Sequence, residues 1–117
     1  MKKRTHQMYV EDILAAMNKI ERYIKGLTYQ TFVENEMVQD AVIRNLEIIG
    51  EASRNIPDIV REKDTNIPWR RMIGLRNIAI HEYFGIDLSI IWQIITKNLV
   101  ETKPEVESML KRLNEEE

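Results

Sequence analysis

Apolar residues recur along this chain at spacings of three and four, the pattern of helices that pack through one face. Val10, Ile13, Met17, Ile20, Ile24 and Leu27 form the first stripe, and Gly26 falls where that helix should end. Thr31-Phe32-Val33-Glu34 has capping-box spacing. It predicts a second helix that carries Val38, Ala41, Val42, Leu46, Ile49 and Ala52 inward and stops before Pro57. Gly50 lies inside this helix at a cost of about 1 kcal/mol relative to alanine, which points to another backbone packed close by.

Residues 57–66 read as a polar connection. Pro68 sits near the start of a third helix, where its missing amide does no harm. That helix is predicted to reach about His81–Phe84 and to be closed by Gly85. Asp87 suits the N-cap of a fourth helix after a short turn, so the third and fourth should be antiparallel neighbours. A second box, Thr102-Lys103-Pro104-Glu105, predicts a short fifth helix. In the fourth, Leu88, Ile91, Trp92, Ile95 and Leu99 form one stripe, while Ile90 and Ile94 lie on a different side. A helix apolar on two sides is buried on two sides, so either the fifth helix or a second subunit covers the other one. Trp69 and Trp92 are expected in the core. With no strand alternation, repeat or linker, the expected fold is all-α: an antiparallel bundle of four to five helices in a single domain, residues 1–117.

Composition narrows the class. The chain is 44% hydrophobic and 31% charged, which suits a packed globule and not a disordered chain. It has no cysteine, which removes disulfides, thiolate metal sites and thiol nucleophiles. No apolar run approaches the ~20 residues that cross a membrane. No apolar stretch follows Met1-Lys2-Lys3-Arg4 to make a secretory signal, so the expected compartment is the cytoplasm. The net charge of −2 gives no global argument for nucleic acid, but Arg54–Arg76 carries a local +3 and Glu101–Glu117 a local −3. A basic centre of this kind attracts phosphate, and it also describes an ordinary solvated helix face.

Chemistry gathers on the third helix. At about 100° per residue, Met72, Leu75 and Ala79 share one face and Ile73 and Ile80 the next. Arg76 falls between them, inside the apolar arc, where a guanidinium is costly unless paired or facing a wet cleft. Asn77 and His81 share another direction, and Tyr83 returns to within about 20° of Arg76 on a regular helix. Plainer roles exist for each. His81 could bond a carbonyl at the helix end, and Arg76 could pair with Glu47 or Glu51. Tyr83 could be a core-edge residue. Glu51 suits an orienting partner of Arg76 better than a catalytic base. No metal-ligand spacing, Gly-rich phosphate loop or nucleophile elbow is present, and no cofactor is implied. Arginine beside histidine does suit phosphodiester chemistry: one neutralises phosphate, the other moves protons near neutral pH. RNA is the better substrate, because its 2′-hydroxyl is an internal nucleophile.

The same residues carry a resemblance. Arg76-Asn77-Ile78-Ala79-Ile80-His81-Glu82-Tyr83 is similar to the Arg-x4-His-x-Tyr motif of HEPN-domain HepT toxins. Ile67-Pro68-Trp69, Phe84-Gly85-Ile86-Asp87-Leu88 with Trp92, and Ile48-Ile49-Gly50-Glu51-Ala52 resemble that family as well. The resemblance implies a four- to five-helix homodimer with metal-independent RNase activity. It assigns phosphate binding and transition-state stabilisation to Arg76 and acid/base work to His81. It further implies a type VII toxin–antitoxin system, in which a small nucleotidyltransferase antitoxin, MntA, transfers AMP to Tyr83. Two other readings stay open from the residues themselves. One is a non-catalytic nucleotide- or substrate-binding subunit of a minimal two-component nucleotidyltransferase, and the other is a helical interaction module.

Overall fold

A computed structural model describes residues 5–81 and 87–116. Its elements are α1 (His6–Ile24), α2 (Tyr29–Val33), α3 (Glu36–Asn55), α4 (Asp58–Arg61), α5 (Trp69–His81), α6 (Leu88–Gln93), a π-helical turn (Ile94–Asn98) and α7 (Leu99–Glu115). No strand occurs among the described residues, and the architecture is an all-α bundle.

Helix α1 begins on Thr5, whose hydroxyl accepts the Met8 amide at 3.3 Å, and buries Val10, Ile13, Met17 and Ile20. Gly26 follows its end with φ +81°, the left-handed conformation that glycine adopts without a Cβ clash. The capping box expected at Thr31–Glu34 forms one step earlier. Thr28 caps α2 by accepting the Thr31 amide, while the Thr31 hydroxyl accepts the Thr28 amide at 2.8 Å. With Thr31 used in this way, the cap of α3 passes to Asn35, which accepts the Val38 amide at 3.1 Å. Gln39 fastens the corner by donating to the carbonyls of Phe32 and Val33, each at 2.9 Å. The stretch 57–66 is more than a polar connection. It contains the single turn α4, and the buried Ile56 and Ile67 anchor its two ends. The Trp69 indole donates to the carbonyls of Arg61 and Asp64 at 3.1 Å each, and Arg112 of α7 grips Asp64 through two bonds of 2.8 and 2.6 Å.

The expected break between a fourth and a fifth helix is absent: α6, the π turn and α7 form one continuous helical run. Thr102 is buried and bonds the Asn98 carbonyl at 2.8 Å, so it does not cap a new helix. The buried stripe Ile91, Ile95, Leu99, Thr102, Val106, Met109, Leu113 explains the continuity. Its two successive four-residue steps overshoot an α-helical face, and the wider π turn takes up that overshoot. Tertiary burial along this stripe outweighs the hydrogen bond lost at Pro104.

Helix α3 is central, packed mainly on α1 and α5, while α7 lies on α1. Gln7 bonds Asn114, and Lys103 pairs with Glu21 at 3.0 Å, so α1 and α7 run antiparallel. Tyr9 and Asp12 of α1 line a cleft together with Arg44, Glu47, Glu51 and Asn55 of α3. The third and fourth helices, expected as antiparallel neighbours, line opposite parts of one cleft and do not form the main packing of α5. The main packing partner of α5 is α3, and an apolar cleft of about 340 Å³ separates α5 from residues 94–102. On that side α5 presents Gly74, where an added Cβ would meet nothing within 4 Å. Trp69 and Trp92 are partly buried against the core, and Trp92 packs on Phe32 with ring centroids 5.1 Å apart.

Candidate active site

The site is built where α5 crosses α3. A Cβ added to Gly50 would lie 2.5 Å from the Arg76 backbone nitrogen and 2.8 Å from the Arg76 Cβ. The two helices therefore meet backbone to backbone, as the glycine inside the second stripe suggested. Only a residue without a side chain permits this approach. The next residue along α3 completes the arrangement, since Glu51 Oε2 lies 2.8 Å from Arg76 Nε. One residue admits the arginine by lacking a side chain, and the following one holds its head by charge.

Arg76 lies between the buried Met72, Leu75 and Ala79 and the solvent, with its side chain 38% exposed. It satisfies both conditions for a guanidinium inside an apolar arc, being paired and opening on a cleft. With Glu51 49% exposed, the pair is solvent-screened and worth no more than about 1 kcal/mol to stability. Its consequence is orientation. A guanidinium has five N–H donors, four of them on the terminal nitrogens, so a carboxylate on Nε leaves capacity for a phosphate.

The cleft beside Arg76 measures about 280 Å³. It is lined by a polar strip of α3 (Arg44, Glu47, Glu51, Asn55) at spacings of three and four and by Tyr9 and Asp12 of α1. Arg44 pairs with Glu47 at 3.4 Å. Sequence reasoning did not single out Tyr9, Asp12, Arg44 or Asn55. The strip on α3 is visible as a helical period, but its meeting with α1 is set by the tertiary fold.

Of the other expected site residues, Asn77 is exposed at the surface of α5 and does not line this cleft. His81 is the last residue of α5, five positions after Arg76, or about 7.5 Å along the axis at 1.5 Å per residue. Its side chain, and the whole of Tyr83, lie outside the described residues. No group of three or more acidic, histidine or cysteine side chains able to hold a metal occurs among the described residues, and no helix among them is long and apolar enough to cross a membrane.

The all-α bundle, with an oriented arginine in a cleft and a histidine five residues later on the same helix, fits the HEPN-type helical domain that the motif resembles. Residues 13–112 match the family model described as "Ribonuclease HepT-like", and the chain belongs to that family. It is 48% identical over 107 residues to a protein of Methanocaldococcus jannaschii provisionally named an RNase, covering 92% of this chain and 98% of that one. It is 39% identical over 109 residues to the "Probable ribonuclease HepT" of Thermococcus cleftensis, covering 93% and 99%. A further relative from Caldanaerobacter subterraneus, also provisionally named an RNase, is 38% identical over 109 residues, covering 93% and 97%. No solved structure matches the chain.

Proposed function

We propose that this chain is a metal-independent endoribonuclease that acts as the toxin of a type VII toxin–antitoxin system. The observation that carries the reading is the Arg76–Glu51 pair lining a cleft, five residues before His81 on the same helix, in a chain of the ribonuclease HepT-like family. In this mechanism Arg76 binds the scissile phosphate and neutralises the charge that builds on it in the transition state. The 2′-hydroxyl loses its proton and attacks the adjacent phosphorus, and the 5′-oxygen of the next nucleotide leaves with a proton. The products are a 2′,3′-cyclic phosphate and a free 5′-hydroxyl. His81 moves one of these protons. A homodimer brings a second histidine to the same cleft, so that one removes a proton while the other supplies one.

Regulation in this reading acts through Tyr83. A partner nucleotidyltransferase of the MntA type transfers AMP from ATP to the tyrosine hydroxyl and releases pyrophosphate. The attached phosphate competes with the RNA backbone for Arg76 by charge and by bulk.

Cleavage of single-stranded RNA by the isolated protein in a chelator tests the reading. Cyclic-phosphate ends are expected, with activity lost in Arg76→Ala and His81→Ala at unchanged helicity and melting. Addition of the cognate nucleotidyltransferase, ATP and magnesium should raise the mass at Tyr83 and stop cleavage, and Tyr83→Phe should show no such mass increase. Strict dependence on a divalent ion overturns the mechanism. Binding of nucleotide without any cleavage favours the nucleotide-binding subunit instead.

A further inference from the structure

Of the basic stretch Arg54–Arg76, the proposed mechanism uses only the last residue. Folding sorts the other charges in it. Asp58 is held by Arg61, Asp64 by Arg112 at 2.6 Å, and Arg76 holds Glu51 at 2.8 Å. Arg54, Lys63, Arg70 and Arg71 remain, against the carboxylate of Glu62. Arg54, Arg70 and Arg71 are exposed, and they hold no carboxylate among the described residues. Helix stability gives no reason for two of them. Arg70 and Arg71 stand in the first turn of α5, which has no acid, and the helix macrodipole disfavours cations there.

The packing of α5 on α3 decides where these arginines lie. The Trp69 indole donates to the Arg61 carbonyl at 3.1 Å, and the Arg61 amide donates at 3.0 Å to Pro57, two residues past α3. The start of α5 is thus tied to the end of α3, and further along α5 meets Gly50 at Arg76. The two helices run antiparallel, with the last turn of α3 beside the first turns of α5. At about 100° per residue, Arg54 projects between Gly50 and Glu51, on the flank of the seam that carries the Glu51–Arg76 pair. It lies about 6 Å beyond Gly50 along α3, and Arg70 lies about 9 Å before Arg76 along α5. In the other direction along α3 the charge is already neutralised, since Arg44 pairs with Glu47 at 3.4 Å. Arg71 lines the apolar cleft instead, with Met72 and Leu75.

We infer that Arg54 and Arg70 extend the Arg76 site into a one-sided track for single-stranded RNA, each holding a phosphate next to the scissile one on the side towards the start of α5. The inference rests on the proposed ribonuclease reading and adds the direction in which the substrate leaves the site. A single strand carries one negative charge per nucleotide, and a row of cations that follows its backbone binds it whatever the bases. A guanidinium suits this role because its fork donates two N–H groups to one phosphate. With no carboxylate on them, Arg54 and Arg70 have all five donors to offer. Neither reaches the reacting atoms in this reading. Both are positioning residues that keep the strand in register on Arg76.

The test uses the full chain and two kinds of single-stranded oligonucleotide. One is 2′-O-methylated throughout and binds without being cut; the other is methylated at every sugar but one, so that a single bond is cut. For the first, Kd from fluorescence anisotropy is followed against salt on logarithmic axes, where each phosphate contact contributes about 0.7 to the slope. Arg54→Gln and Arg70→Gln should each lower that slope by about 0.7. In cleavage their effect should fall on KM more than on kcat. Arg54→Lys and Arg70→Lys keep the charge and should restore most of the slope. Arg71→Gln removes the same charge from the other flank of α5 and should leave the slope unchanged. In the second kind of strand, a neutral methylphosphonate placed beside the cut should raise KM on one side of it and not on the other. All three arginines are exposed, so helicity and melting should stay at wild-type values. A wild-type slope in both Arg54→Gln and Arg70→Gln, an equal loss in Arg71→Gln, or equal methylphosphonate effects on both sides overturns the track and leaves the ribonuclease reading intact. A slope lowered in the two variants, with no cleavage of any linkage by wild type, upholds the track and overturns the ribonuclease reading.

Discussion

At the scale of single residues, Gly50 and Glu51 decide how Arg76 presents itself. An alanine at position 50 would push a methyl group to within 2.5 Å of the Arg76 amide nitrogen, and neither partner atom is the free end of a flexible side chain. The helices must then separate, which costs about 1–3 kcal/mol by the usual scale of overpacking. The separation also moves the guanidinium away from Glu51. Gly50→Ala is therefore expected to lower the urea midpoint and to cut RNA cleavage together. Glu51→Gln should leave stability nearly unchanged, because an exposed pair contributes little, yet still reduce kcat. A Gly50→Ala protein with wild-type stability and activity would contradict the backbone-to-backbone account. The glycine was legible in the sequence because an unfavourable residue inside a strong apolar period needs a compensating contact. The identity of that contact was not legible, since nothing local links residue 50 to residue 76.

Elements repeat the lesson in another form. The long stripes of α1 and α3 were readable because the 3.6-residue period is written locally and their burial agrees with it. Two capping boxes were misplaced because side-chain oxygens compete for the same amides. Thr28, Thr31 and Asn35 are all suitable caps within eight residues, and the chain uses Thr28 and Asn35. At Thr102 a capping signature yields to burial of the hydroxyl against the Asn98 carbonyl, and the helix continues. Asp87 is the cap that reads the same from sequence and structure, accepting the Ser89 amide at 2.9 Å. The Ser89 hydroxyl bond, and then the Ser89 amide, hold its carboxyl below the ordinary aspartate range. Because the folded value is depressed, the cap's contribution is complete above about pH 3.9, the ordinary aspartate value. It is lost as pH falls through the lower folded value. The gap in urea midpoint between wild type and Asp87→Ala should therefore be constant from neutral pH down to the ordinary value and close below it. A gap that persists unchanged into that acid range would remove the carboxylate from the account.

On the scale of the whole molecule, the unbroken run from α6 to α7 leaves one face to be explained. The sequence offered two covers for the second apolar side of this helix, a fifth helix folded back or another subunit. Continuity removes the first, because α7 extends away along the same axis and lies on α1. Ile94 turns into the apolar cleft with Leu75 and Ile78, while Ile90 stays 51% exposed. Half-filled apolar space beside an exposed isoleucine fits the edge of an interface, and a two-fold axis there would repeat the contact on both subunits. Stable dimers of this kind bury about 1,200–2,000 Å² in total, an area that many residues must share. A charge at Ile90 should therefore weaken the proposed dimer without dissolving the fold. We expect sedimentation of Ile90→Glu to shift from dimer towards monomer at micromolar protein, with cleavage falling in proportion and returning as concentration is raised. Helicity should not change, because the side chain faces solvent in the single chain. A wild-type protein that sediments as a fully active monomer would reject the dimeric site altogether. An Ile90→Glu protein that remains an active dimer would move the interface to another face while leaving the need for two histidines untouched.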